Sequence, residues 1–206
     1  MTSLDFNGLI DLDKASLTLS LLSITFNPTA WNIVARNEYH NKTITRLFGG
    51  NRKAGCYFLA VMIFSFGILR DYLYHEALKE QPKVALIPYE YASKIAVVLF
   101  GLGQLFVITS TWQLGITGTF LGDYFGILMD HRVEGFPFNI LNDPMYVGST
   151  MSFIATALWT ERPAGLFISA YVYIVYRIAL LFEGPFTDMI YSNRAAEQKK
   201  AEGKSS

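Results

Sequence analysis

The chain has 206 residues, zero formal net charge, and 51% hydrophobic against 17% charged residues. That balance describes one membrane-embedded unit rather than a pair of soluble domains, with polar tails at 1–14 and 192–206. It excludes the basic surface that nucleic-acid binding needs, and a lone cysteine, Cys56, excludes an intrachain disulfide.

The N-terminal MTSLDFNGLIDLDK is acidic, without the basic start of a cleaved signal peptide. The first apolar region, Ala15 to Ala35, carries Asn27-Pro28 in its second half. Proline removes a helix hydrogen bond and restricts its predecessor, so this segment is expected to kink or re-enter rather than cross cleanly. The second region, Ala54 to Leu69, ends in Arg70-Asp71 and Tyr72-Leu73-Tyr74, a basic and aromatic set suited to an interface.

The third region, Ile95 to Ile116, holds no charged residue. It is long enough to cross the hydrocarbon, which takes about 20 apolar residues. The fourth, Pro144 to Phe182, is too long for one straight crossing and is interrupted by Glu161-Arg162-Pro163. Charge is expensive at the bilayer centre, so a break is expected at that turn. Two arrangements are open: a hairpin, or a first half lying in the interface.

No region alternates with period 2, so helices rather than barrel strands are the reading. The expected fold is an all-α integral membrane protein of about three to five membrane helices, since each crossing takes some 20 residues. Its first segment is expected to be re-entrant or kinked and its C-terminal region broken.

Between the third and fourth regions, residues 115–148 are rich in glycine, aspartate and aromatics, a composition that suits a built surface rather than a disordered linker. Only Arg132 is basic between Thr117 and Asp143. The positive-inside rule therefore puts that loop outside the cytosol, with the Arg70–Lys94 loop and the C-terminal tail inside. The five Lys and Arg residues of Arg36–Lys53 fit this arrangement poorly.

Gly101 and Gly103 interrupt the third region. Each helical glycine costs about 1 kcal/mol relative to alanine, so something must offset two of them. Side chains at i and i+2 point about 200° apart, so the pair does not form one small-residue face. It narrows the helix on two sides, about 9 Å from the Ile95 end. Close packing on two neighbours and a ligand that needs bare backbone are both open. Near the chain's end, Glu183 closes an apolar helix in RIALLFEGPFTDMIY and Pro185 opposes smooth continuation. Glu183 reads either as a boundary residue or as an acceptor for a ligand hydroxyl or ammonium, and one ligand reaching both Glu183 and the Gly101 level is the sharper reading.

The runs CYFLAVMIFSFGILRD, GLGQLFVITSTWQLGITGTFLGDYFGILMDHRVEGFPFNILNDPMYVGST and EGPFTDMIY resemble the phosphatidylethanolamine N-methyltransferase family, its fungal phospholipid methyltransferases of the phosphatidyl-N-methylethanolamine type especially. The resemblance covers nearly everything from Asn27 to Tyr191. It implies a multi-pass enzyme of the endoplasmic reticulum that moves methyl groups from S-adenosylmethionine to ethanolamine phospholipids, towards phosphatidylcholine.

The family's cofactor motifs are GxG in a membrane helix and a later glutamate pair. The first falls on Gly101, Leu102 and Gly103, the second on Glu183 and Gly184, so the second glutamate is absent here. Asn142-Asp143-Pro144-Met145-Tyr146-Val147-Gly148 also resembles the Pro-x-Tyr-x-Gly element of isoprenylcysteine carboxyl methyltransferases, which implies Tyr146 and Gly148 near the cofactor.

Methyl transfer to an amine needs alignment and a proton acceptor but no metal. Asp123, Asp130, His131, Glu134 and Tyr146 are acceptor candidates because they fall in or beside the resembling segment, with Asp123 and Tyr146 preferred. His40, His75 and His131 are scattered and form no metal-ligand spacing. The alternatives are an isoprenylcysteine-type acceptor and a non-enzymatic scaffold in which the glycines only pack helices.

Overall fold

The computed structural model describes residues 8–130 and 133–202, and the side chains of 8–130 and 133–196. His131 lies outside the described residues. The order is α1 (Ala15–Asn41), α2 (Thr43–Leu47), α3 (Arg52–Glu80), α4 (Tyr89–Thr119), a short 3-10 helix (Gly122–Phe125), α5 (Pro144–Trp159) and α6 (Pro163–Glu202). There is no strand among the described residues, and α3, α4 and α6 are each long and apolar enough to cross a membrane. The all-α membrane fold read from the sequence is the observed one.

The first segment is a single helix rather than a re-entrant one, running unbroken through Pro28. Side-chain amides tie the turns around the proline: Asn27 donates to the Ser23 carbonyl at 3.1 Å and Asn32 to the Pro28 carbonyl at 2.9 Å. The helix is also held from outside. Trp31 and Phe66 meet edge-on at 5.4 Å, and Asn27 reaches the Phe66 carbonyl. Antiparallel packing on α3 thus overrides the local cost of proline.

Asn41 is followed by Lys42 in the left-handed region, φ 52°, which turns the chain into α2. The fully buried Glu38 carboxylate accepts from the backbone N–H of Ile44 and Thr45, capping that five-residue helix from the side.

The fourth apolar region is a hairpin. α5 and α6 pack together, and Thr160–Arg162 joins them with Glu161 at φ 52°. Gly165 makes the close approach possible, since a Cβ there would lie 2.6 Å from Ala157 Cβ. Pro185 does not end α6, which continues to Glu202. In the turn of α6 preceding the proline, Arg36 donates to the Phe182 carbonyl at 2.8 Å.

The two ends of the bundle can be read from contacts. Asp11 with Gln81, Ser16 with Glu80, and Val84 with Glu161 gather at one end. At the other, Cys56 lies 3.7 Å from the Phe120 carbonyl, Ala35, Tyr124 and Ile190 cluster, and Arg194 donates to the Met129 carbonyl. The basic-poor loop and the C-terminal tail therefore share one end, together with Arg36–Lys53. This corrects the expected arrangement, in which loop and tail lay on opposite sides.

Candidate active site

Gly101, Leu102 and Gly103 do different things. Gly103 is buried in the crossing of α4 and α5, where a Cβ would lie 2.6 Å from the Gly148 carbonyl oxygen. The contact is reciprocal, because a Cβ on Gly148 would lie 2.5 Å from the Gly103 oxygen. Two backbones touch here, and neither position admits a side chain. Gly101 faces open space, with nothing within 4 Å of its Cβ position, and Leu102 is exposed.

Tyr146 stands two residues before Gly148, on the opposite side of the first turns of α5. Its hydroxyl donates to Glu183 Oε2 at 2.6 Å, and its ring meets Tyr176 edge-on at 4.8 Å. Asn32 donates to the other carboxylate oxygen, Glu183 Oε1, at 2.8 Å. Glu183 thus joins α1, α5 and α6. The first turns of α5 separate Glu183 from the α4 crossing. Gly184, next in the chain, is exposed, with nothing within 4 Å of its Cβ position.

One turn further along α6, Thr187 donates to Asp123 Oδ2 at 3.0 Å. Asp123 sits in the short 3-10 helix, which Leu121 enters at φ 60° and Gly126 leaves at φ 74°. Its neighbour Tyr124 is fully buried and stacks on Phe186, centroids 5.1 Å apart and 4° from parallel. The Arg36 guanidinium lies 4.7 Å from the Phe186 ring centroid. Asp123, Tyr146 and Glu183 therefore belong to one polar cluster, while Asp130 is drawn off to Arg194 at 3.8 Å.

Asn32, Arg36, Tyr124 and Thr187 complete the cluster and escaped the sequence reading. A signal for the first two was present: they are four apart on α1, so two polar side chains share one face of a largely apolar helix.

The cluster has unmet hydrogen-bonding capacity. Asn32 Oδ1, Arg36 Nε and the Tyr124 hydroxyl are buried without a hydrogen-bond partner of acceptable geometry. Such groups cost about 1–3 kcal/mol each, so three in the cluster around one carboxylate suit a polar ligand. No group of His, Cys, Asp or Glu that could hold a metal ion occurs among the described residues.

The phospholipid methyltransferase family model matches residues 92–194. Phosphatidyl-N-methylethanolamine N-methyltransferase of Neurospora crassa is 56% identical over 98% of this chain and 94% of its own length. The Saccharomyces cerevisiae protein of that name is 56% identical over 92% of each chain. Phosphatidylethanolamine N-methyltransferase of Rattus norvegicus is 42% identical over 94% of this chain and 96% of its own. No solved structure matches. These matches displace the scaffold reading: the chain is an enzyme and belongs to the phospholipid methyltransferase family.

Proposed function

We propose that this chain N-methylates ethanolamine phospholipids, phosphatidylethanolamine and its mono- and dimethyl forms, towards phosphatidylcholine, with S-adenosylmethionine as methyl donor. The observation that carries the site is the Tyr146–Glu183–Asn32 junction with three unpartnered buried polar atoms, on Asn32, Arg36 and Tyr124. Its donor set fits the cofactor. Glu183 would hold the ammonium, Arg36 the carboxylate, and Asn32 and Tyr124 the hydroxyl groups. When bound, the cofactor supplies an electrophilic methyl group on a sulfonium that leaves as a neutral thioether.

The chain's own part is to align and to move a proton. The acceptor rests as an ammonium and must lose a proton before its nitrogen lone pair can attack. Tyr146 is placed to take that proton on its oxygen as its own passes to Glu183 Oε2, a bond 2.6 Å long in the resting state. Asp123, fixed by Thr187, is the second acceptor in the cluster. Gly103 acts as a positioning residue, because its contact with Gly148 sets the turn of α5 that carries Tyr146. Gly101 and Leu102 complete the motif on the exposed flank of α4.

We place the enzyme in the endoplasmic-reticulum membrane with the site end and the C-terminal tail in the cytosol. That end carries the five basic residues of Arg36–Lys53 and the stretch of α6 from Arg194, against four in Arg70–Lys94. A water-soluble cofactor then enters from the cytosol.

The test is transfer of label from S-adenosylmethionine to each of the three ethanolamine phospholipids in membranes containing the chain. Label in phosphatidylcholine or its precursors, lost in Glu183→Ala, is expected. Folded protein that neither transfers label nor binds the cofactor would return the cluster to a structural role.

A further inference from the structure

A cleft of about 180 Å³, open to the outside, lies beside the cluster between the start of α5 and the middle of α6. Thr150 and Tyr176 are its buried lining, Tyr146 and Asp143 are half-buried, and Tyr173 and Arg177 are exposed. That volume is below the roughly 300–1,000 Å³ of clefts that enclose a whole ligand, so it takes a small polar group and leaves the rest of a larger molecule outside.

Arg177 is the unusual member. Its side chain is 60% exposed on a flank of α6 where Ile174, Ile178 and Leu181 are exposed too. A guanidinium on a lipid-facing apolar flank is costly without a counter-charge. Its one acidic neighbour among the described residues is Asp143, with 3.9 Å between charged atoms, too long for a hydrogen bond. Arg177 therefore stands ready for a better anion, and a guanidinium suits phosphate in particular. The other lining groups favour the opposite charge, since a carboxylate and three tyrosine rings attract a cation. Anion and cation sites thus stand side by side in a cleft flanked by apolar surface.

We infer that this groove binds the glycerophospholipid acceptor, its phosphate on Arg177 and its amine between Asp143 and Tyr146. The assignment rests on the proposed methyl transfer and adds where the second reactant enters. Tyr146 joins this cleft to the polar cluster, with its hydroxyl on Glu183 and its ring on Tyr176. The lipid approaches from the bilayer and the cofactor from the water-facing end, and the two meet at Tyr146. A phosphate on Arg177 frees Asp143 to face the amine.

The experiment is kinetic, on purified full-length protein in mixed micelles, with lipid mole fraction and S-adenosylmethionine varied separately. Arg177→Leu is expected to raise the KM for lipid by about tenfold or more, the worth of one charge-assisted hydrogen bond. The KM for cofactor should stay put, and Arg177→Lys should recover part of the loss. Glu183→Gln should do the reverse and move the cofactor constant. A photoreactive phosphatidylethanolamine should label the wild type near Tyr173 and lose that labelling in Arg177→Leu, while a phosphate-free diacylglycerol probe should label weakly.

An unmoved lipid KM, or both constants rising together, overturns the assignment. So does equal labelling by the phosphate-free probe. Wild-type protein that methylates no ethanolamine phospholipid would remove the proposed function instead, and the labelling pattern alone then decides the groove.

Discussion

The two sides of α5's first turns are built on opposite principles. Towards α4, Gly103 and Gly148 press backbone on backbone, and Ser152 closes the contact by accepting from Gln104 at 3.0 Å. Towards α1 and α6, Tyr146, Glu183 and Asn32 form a polar junction whose neighbours keep unmet hydrogen bonds. One side gives up side chains to gain contact, and the other holds polar groups that packing does not satisfy. Rigidity lies with the first, and the capacity to accept a ligand with the second.

Substitutions can break this contrast. The largest effect is expected at the crossing. Gly103→Leu or Gly148→Leu should lower stability by about 3 kcal/mol or more, beyond ordinary overpacking because backbone stands in the way. Melting in detergent checks it, and Gly101→Leu, facing open space, should melt like the wild type. Equal losses at Gly101 and Gly103 would overturn the division of roles within the motif.

Glu183→Gln keeps the shape and removes the charge. It should weaken cofactor binding by about 10- to 100-fold, equivalent to roughly 1.5–3 kcal/mol, with melting essentially unchanged. Direct binding of labelled cofactor reads this, and a fall in melting temperature without lost affinity would make the junction purely structural.

Tyr124→Phe separates the two sides more finely. Removing a buried hydroxyl without a partner should stabilise the ligand-free protein by about 1 kcal/mol. The same change should cost a few-fold in cofactor affinity. Both signs together mark a group that waits for a ligand; stabilisation alone would mark an idle one.

The smallest effect is expected at Gly184. Its Cβ position is open, so Gly184→Ala should stabilise α6 by about 0.5–1 kcal/mol. Gly184→Glu should be tolerated, and its effect on cofactor affinity measures what the absent second glutamate supplies.

Much of the architecture could be read directly from apolar runs and from the Glu161-Arg162-Pro163 interruption, which is where α5 meets α6. What escaped was decided by contacts between distant segments. Pro28 and Pro185 look like helix ends locally, yet both sit inside continuous helices, supported by Asn27 and Asn32 in one case and by Arg36 from α1 in the other. The placement of loop and tail failed because charge counting takes each loop alone, whereas Arg194 and Met129 join two of them. Gly103 and Gly101 are identical in the sequence, and only the approach of Gly148 tells them apart. Glu183 and Tyr146 were legible separately, and their hydrogen bond was not, because 37 positions separate them.

The brevity of α5 has a consequence for the surrounding lipid. Its 16 residues rise about 24 Å, some 6 Å less than a typical hydrocarbon slab. Its Trp159 end lies with Tyr89 at the far end of the bundle, so the shortfall falls beside Asp143 and Arg177. Lipids along this flank must dip to meet a polar boundary, and such mismatch carries a cost that depends on membrane thickness. Turnover should therefore be faster in thin bilayers than in thick ones, which makes acyl-chain length a control on the enzyme that owes nothing to headgroup chemistry.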